Sequence, residues 1–311
     1  MPDIILLMAG PTASGKSKIA LKLASLLGGM IINADSMQVY RDLSGLTARP
    51  DAADEACVPH RMYGFMDAAE ACSAALWHTA LEAALEEAGR LSLMPIIVGG
   101  TGLYFRVALE GLSHIPAIPD ELREDIRGDL TAEGAAALHA VLENEDPEMA
   151  VRLAPGDGQR IARALEVIRA TGRSLASWQK HKGKAILKQA DSEGRVVKII
   201  LEVPRDELYA RIDARFDQMI ESNVIKEVQS LLDRKLDPGL PAMRALGVPH
   251  LGAFIRGEID LPQAVQKAKT ESRRLAKRQI TWFNNQFPDW QRIKSGEADA
   301  AGKIFKIVQA T

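Results

Sequence analysis

Residues 4–17, IILLMAGPTASGKS, carry an unbroken apolar run into a glycine-rich loop. A run that is apolar at every position is a strand buried on both faces, and a sheet covered by helices on both sides buries it. The loop obeys the spacing G-x-x-x-x-G-K-[ST]. A helical stripe of Ile19, Ala20, Leu23, Leu26 and Leu27 follows it, stopped by Gly28. Strand, glycine loop and helix in that order are the setting in which this motif cradles phosphate. The reading assigns a diphosphate to Gly10, Pro11, Thr12, Ala13, Ser14, Gly15, Lys16 and Ser17. Backbone N–H groups of residues 12–17 would wrap it at the helix N-terminus, where the dipole favours negative charge. Lys16 adds a point charge, and the Ser17 hydroxyl is placed to hold Mg2+. The motif is strong for phosphate and silent on its fate. It serves a phosphate that is handed on and a phosphate that leaves.

Three more apolar runs follow: MIINAD (30–35), LMPIIVGGTG (93–102) and VVKIILEV (196–203), with helical patterns between and after them. Strands alternating with helices predict an α/β fold, a P-loop-type doubly wound parallel sheet. In such sheets the loops at the carboxyl ends of the strands share one crevice, so the glycine loop, Asp35 and Thr101 should lie on one rim. Between the third and fourth strands, residues 113–190 open on the proline-spaced SHIPAIPDELR and then read as helices. The expected organisation is a catalytic core of 1–112 and 191–311 with a helical insertion of 113–190.

The 311 residues are 47% hydrophobic and 26% charged, enough for one large domain or two modest ones. No apolar run approaches the roughly 20 residues of a membrane span. Asp3 precedes the first apolar run, unlike a secretory signal, so the expectation is a cytoplasmic protein without a membrane partner. Cys57 and Cys72 are too few for a disulfide framework and form no C-x-x-C pair. Net charge is −2, yet residues 152–188 hold nine Lys and Arg against Asp157 and Glu166. Residues 267–278 hold six against Glu271. Solvated faces normally mix signs, so both runs suggest contact with nucleic acid.

Asp35 closes the second strand. It can cap the following turn, as Asp commonly does, or take a proton from a nucleophile near the phosphates. VGGTG (98–102) closes the third strand without an acidic residue, which argues against an ATP-hydrolysing motor and leaves a kinase open. A P-loop kinase with the insertion as lid, a prenyltransferase acting on free adenine nucleotide and a non-catalytic RNA-binding module are the rival readings. Broad positive surface is of little use to the first two.

In chain order, GPTASGKS, DSMQVYR, VPH (58–60), VGGTGLYF, QRIARALEV, RDELYARIDARFDQM and RRLAKRQITWF are similar to the motifs of the tRNA dimethylallyltransferases, over nearly the whole chain. The resemblance implies transfer of a dimethylallyl group from its diphosphate to N6 of the adenosine at position 37, with release of diphosphate. The phosphate would then be a leaving group. It implies Asp35 as general base, and Asp35, Ser36, Met37 and Gln38 against the flipped base. Thr101 would hold base and diphosphate at the reaction channel, and Arg215 would join Lys16 and Ser17 around diphosphate and Mg2+. Arg123 and Gln159, Arg160, Ile161, Ala162 and Arg163 would hold the anticodon stem-loop of tRNA. On residues alone, Arg160 and Arg163 share a helix face opposite Ile161, Leu165 and Ile168. The expected protein is a monomer that lacks the zinc finger of eukaryotic relatives. It departs from the family pattern at SGLTARP (44–50), Arg61, Val248 and Asn223. Asn223 tolerates the left-handed conformation that Gly usually provides.

Overall fold

The computed structural model describes residues 4–296 and 299–311; Asp3, the acid ahead of the first strand, lies outside them. The six strands form one parallel sheet in the order β3-β2-β4-β1-β5-β6. The four inner strands are β1 (Ile5–Ala9), β2 (Gly29–Asn33), β4 (Met94–Gly99) and β5 (Val196–Glu202). They are the four apolar runs, and the α/β parallel-sheet expectation holds. The outer strands, β3 (His60–Arg61) and β6 (Gln291–Lys294), carry no such run. Short, charged edges are how sheets resist pairing with other chains. Arg61, one of the family departures, makes a two-point ion pair with Glu87 at 2.8 and 2.6 Å beside that edge.

Helices α1 (Lys16–Leu27), α2 (Ala74–Arg90) and α3 (Gly102–Glu110) follow β1, precede β4 and follow β4 respectively. After β5 come α4 (Arg205–Glu221), α5 (Val224–Asp233), the long α6 (Leu261–Gln286) and, after β6, α7 (Ala300–Gln309). Asn223 is left-handed (φ 73°) at the start of α5, as a Gly replacement there must be. No helix among the described residues is long and apolar enough to cross a membrane.

Beside β1 the chain turns to β2, inserts β4 between them, and later extends the other side with β5 and β6. The carboxyl ends of β1, β2 and β4 border that reversal, where α/β sheets bind ligands. Glycine makes their convergence possible. A Cβ on Gly99 would stand 1.9 Å from the Ala34 carbonyl oxygen, and one on Gly102 would stand 2.1 Å from the Trp282 ring.

Two compact units emerge: Met1–Leu109 with Leu187–Thr311, and Glu110–Ile186. The second begins and ends a few residues before the 113–190 expected. Leu187 is the reason: it is fully buried, and its N–H donates to the Ala108 carbonyl of the core at 2.9 Å. At the neck of the second unit the Gly183 N–H donates to Leu112 O (2.8 Å). That unit is helical throughout its core, with Ile126, Leu138, Leu142, Ile161 and Leu165 buried together.

Candidate active site

The loop between β1 and α1 turns through left-handed Ala13 (φ 61°) and Gly15 (φ 84°). Two of the N–H donors expected to wrap a ligand are already engaged: Thr12 N–H donates to Gln279 Oε1 (2.8 Å) and Ser14 N–H to Pro11 O (3.2 Å). Four N–H groups at a helix start have no intrahelical acceptor, so the first turn of α1 is the remaining anion site. The Ser14 hydroxyl is fully buried and has no hydrogen-bond partner among the described residues. Lys16 folds back so that Nζ donates to Pro11 O (3.1 Å). Burial lowers its pKa to about 8, with Asp35 opposing that shift and Arg215 adding to it. Arg215, on α4, donates from Nη2 to Thr12 Oγ1 (2.5 Å), and burial lowers its pKa too, against the attraction of Asp35. Two half-buried cations therefore face one carboxylate, an electrostatic setting for an anion.

Asp35 is held from behind. Its N–H donates to Asn33 Oδ1 (2.8 Å), and Asn33 Nδ2 donates to Asp35 O (3.0 Å) and Met62 O (3.1 Å). Trp77 Nε1 fixes Asn33 in turn through its carbonyl (2.9 Å). Asp35 Oδ1 accepts from Met37 N–H (2.9 Å), so the turn-capping role is real and uses one oxygen. The other oxygen has no hydrogen-bond partner among the described residues and can accept a proton. Thr101 ties the second rim loop to the first: its N–H donates to Ala34 O (3.1 Å), and its Oγ1 accepts from Ser36 N–H (2.9 Å). Its hydroxyl hydrogen stays available to a ligand. Gln38 spends its amide donors on Thr47 O (2.9 Å) and Ala48 O (3.0 Å), which leaves its oxygen to contact anything else.

A cavity of about 90 Å³ opens beside these groups. Thr12, Asp35 and Arg215 make its polar side, while Leu46, Ile212, Phe216, Met219, Leu246 and Leu275 supply apolar wall. A phosphate cradle is thus joined to a small apolar chamber.

The sequence-predicted site divides between the units. The loop residues, Asp35, Ser36, Met37, Thr101 and Arg215 gather in the core unit, while Arg123 and 159–163 belong to the other. There Gln159 and Arg160 are exposed on the Gly158–Thr171 helix. Ile161 and Ala162 are not: they are 0% and 5% exposed in the helical core, so their side chains present nothing to RNA. Arg160, Arg163 and Arg123 pair with Asp157 (3.2 Å), Glu166 (2.9 Å) and Asp120 (3.3 Å). Trp282 and Phe283 pack with Phe287 rather than forming a stacking platform.

A family model described as IPP transferase matches residues 38–286, and one described as isopentenyl transferase matches residues 3–67. The tRNA dimethylallyltransferase of Nitrobacter hamburgensis is 51% identical to the chain, over 94% of it and 92% of the relative. The chain belongs to the IPP transferase family. A second relative of that description, from Rhodopseudomonas palustris, is 50% identical over 94% of the chain and 90% of its own length. The solved tRNA isopentenylpyrophosphate transferase of Bacillus halodurans superposes with a TM-score of 0.68 at 32% identity, over 99% of this chain and 95% of that one.

Two residues of this IPP transferase were missed by the sequence reading. Gln279 on α6 accepts from Thr12 N–H and donates to Gly100 O (3.0 Å), bridging the two glycine loops. A Cβ on Gly100 would stand 2.2 Å from Gln279 Nε2, so a side chain there would displace this bridge. Glu227 on α5 collects the N–H groups of Ser44, Gly45 and Leu46 at 2.8–3.0 Å. Nothing in a helical Gln or Glu marks such a role. For Mg2+, no group of three or more His, Cys, Asp or Glu suited to a metal exists among the described residues. An exposed Ser17 hydroxyl beside a diphosphate fits that ion, which keeps several waters and leans on phosphate oxygens.

Proposed function

We propose that the chain transfers a dimethylallyl group from dimethylallyl diphosphate to N6 of the adenosine at position 37 in tRNA, releasing diphosphate. The observation that carries this reading is the junction of Lys16, Arg215 and the start of α1 with a chamber walled by Leu46, Phe216 and Leu275. An apolar chamber beside the cradle suits a prenyl group attached to the diphosphate, whereas a kinase must bring a hydroxyl to that position. The names of the relatives support tRNA as the acceptor class.

In the step itself, the C1–O bond to diphosphate breaks, the C1–N6 bond forms, and the amine gives up one proton. Allylic diphosphates ionise readily, so stabilising the departing charge matters most; Lys16, Arg215 and the helix N-terminus are set for it. Asp35 takes the proton on the oxygen that Met37 N–H leaves free. Thr101 and Ser36 hold the rim on which the flipped base rests, a base that could not react inside a stacked loop. Mg2+, held by Ser17 and diphosphate oxygens, would neutralise further charge on the leaving group. In this reading the helical unit, with Arg123, Gln159, Arg160 and Arg163, adds minor contacts to the anticodon stem-loop of a cytoplasmic tRNA, and the enzyme works as a monomer.

Asp35→Asn tests the reading. Unmodified tRNA is mixed with enzyme and either dimethylallyl diphosphate or ATP, all saturating, and the tRNA is weighed. The expected wild-type product carries one added dimethylallyl group per tRNA. The variant should bind tRNA normally and slow by about 10² in single turnover, at the low end of general-base effects because the allyl cation needs little help. A phosphorylated product from ATP would overturn the reading, and a full-rate variant would remove Asp35 as base.

A further inference from the structure

We infer that Leu46, clamped by Glu227, is the stop that limits the donor of this enzyme to a five-carbon prenyl group. The inference rests on the proposed function and names what sets its donor size. Leu46 is 7% exposed and forms part of the chamber wall. An apolar cavity of roughly 150 Å³ takes up benzene. The chamber, at about 90 Å³, is smaller than that, so a prenyl chain longer than the shortest would have to displace its wall.

Leu46 cannot step aside. Its backbone N–H donates to Glu227 Oε1 (2.9 Å), while Ser44 N–H (3.0 Å), Ser44 Oγ–H (2.9 Å) and Gly45 N–H (2.8 Å) all donate to Glu227 Oε2. Bonds to an ionised acceptor are roughly twice as strong as neutral ones, and four converge here. On the far side of the loop Gln38 holds Thr47 O and Ala48 O, and Ala48 sits at φ 51°. The side chain is confined as well. A Cβ added at Gly247 would stand 2.8 Å from Leu46 Cδ1, so the methyl already lies against that backbone. Glu227 touches neither cradle nor chamber and is therefore a positioning residue.

The test is calorimetric binding of dimethylallyl and geranyl diphosphate to the full chain, which needs no turnover. Wild type should prefer the shorter donor. Leu46→Ala should shift the ratio of the two dissociation constants toward geranyl by roughly 10- to 100-fold, the range that one or a few methylenes make in an apolar pocket. Glu227→Ala should shift it in the same direction by a smaller factor, and Glu227→Gln, which keeps an acceptor oxygen, should return most of it. Leu231→Ala is the control: it empties the same hydrophobic core but lines no chamber, so its ratio should stay at the wild-type value. Equal shifts in Leu46→Ala and Leu231→Ala, or none in Leu46→Ala, would overturn the inference alone. A wild type that binds neither prenyl diphosphate more tightly than pyrophosphate would overturn it together with the proposed function.

Discussion

Lys16 and Arg215 make a far stronger electrostatic statement than the nine Lys and Arg of residues 152–188. The pair is half-buried in the crevice, and partial desolvation lowers both pKa values with Asp35 as the opposing charge. The nine are at or near the surface, and most already have partners. Arg152 and Lys180 share Glu148, Arg169 takes Glu145, Lys182 takes Glu110, and Arg160 and Arg163 pair within their own helix. Surface pairs add little stability, but they cancel the field that would reach a distant polyanion. Charge density along a chain is therefore a poor measure of charge presented to a ligand. Desolvation and the position of the counter-charges decide.

The run on α6 lies between these extremes. Lys269 and Arg273 are spent on Asp217 (2.6 Å) and Asp213 (2.7 Å) of α4. Lys267, Arg274, Lys277 and Arg278 are exposed without a partner among the described residues. Spacings of seven and four put Lys267, Arg274 and Arg278 on one helical face. This face presents open positive charge of a kind that the paired cations of the insertion do not.

The largest expected effect is on the half-buried pair. Lys16→Ala should weaken pyrophosphate binding by about 100-fold or more, as removal of a buried charged partner costs several kcal/mol, with tRNA affinity nearly unchanged. Lys16 is charged in the free protein below pH about 8. Above that pH the protein must take up a proton before binding, so the wild-type advantage over Lys16→Ala should shrink as pH rises. Titration calorimetry of both proteins from pH 7 to about 9.5 checks the sign. An advantage that stays level to pH about 9.5 would show that Lys16 stays charged throughout.

Next comes the open face of α6. Lys267, Arg274 and Arg278 replaced together by Ala should cut tRNA affinity tens-fold at low salt. Each lost phosphate contact lowers the slope of log affinity against log salt by roughly 0.7–0.9, so the slope should fall by about 2. An unchanged slope would place the RNA elsewhere and undo the contrast with the insertion.

Gln279→Ala follows. It leaves the Thr12 N–H without its acceptor and frees the two glycine loops from each other. An unsatisfied buried donor costs about 1–3 kcal/mol, so diphosphate affinity should drop roughly tenfold by calorimetry. A loss as large as that of Lys16→Ala would make loop geometry, not charge, the dominant feature of the cradle.

The inner sheet and the rim were legible in the sequence because burial on both faces writes itself as runs such as IILLMA and PIIVGG. Topology then carried Asp35 and Thr101 to the cradle without any local clue. β3 and β6 were illegible, because an edge strand of HR or QRIK has no periodicity to read. Gln279, Glu227 and Leu46 were illegible for another reason: their roles lie in bonds across 181 to 267 residues of chain and in a packing partner, Gly247, that a local window does not contain. The ion pairing of the insertion was illegible for the same cause. A window starting at Arg152 omits Glu145 and Glu148, the carboxylates that its cations use.

The smallest effect is expected from Arg160→Ala combined with Arg163→Ala. Both arginines were read as open positive charge, yet Asp157 and Glu166 hold them, and Glu166 is itself only 7% exposed. A phosphate must displace those carboxylates before it releases any counterion. The double variant should weaken tRNA binding by only a few-fold, and the salt slope should change by less than the roughly 0.7 of one full contact. Converting the holders instead should have the opposite sign: Asp157→Asn frees Arg160, raising tRNA affinity and steepening the slope. Filter binding of both variants across a salt series reads the two together. If the double variant flattens the slope by about 1.5 and Asp157→Asn does nothing, these arginines exchange partners freely when RNA arrives. Pairing in the unbound protein would then be no measure of available charge, and the contrast with Lys16 and Arg215 would rest on burial alone.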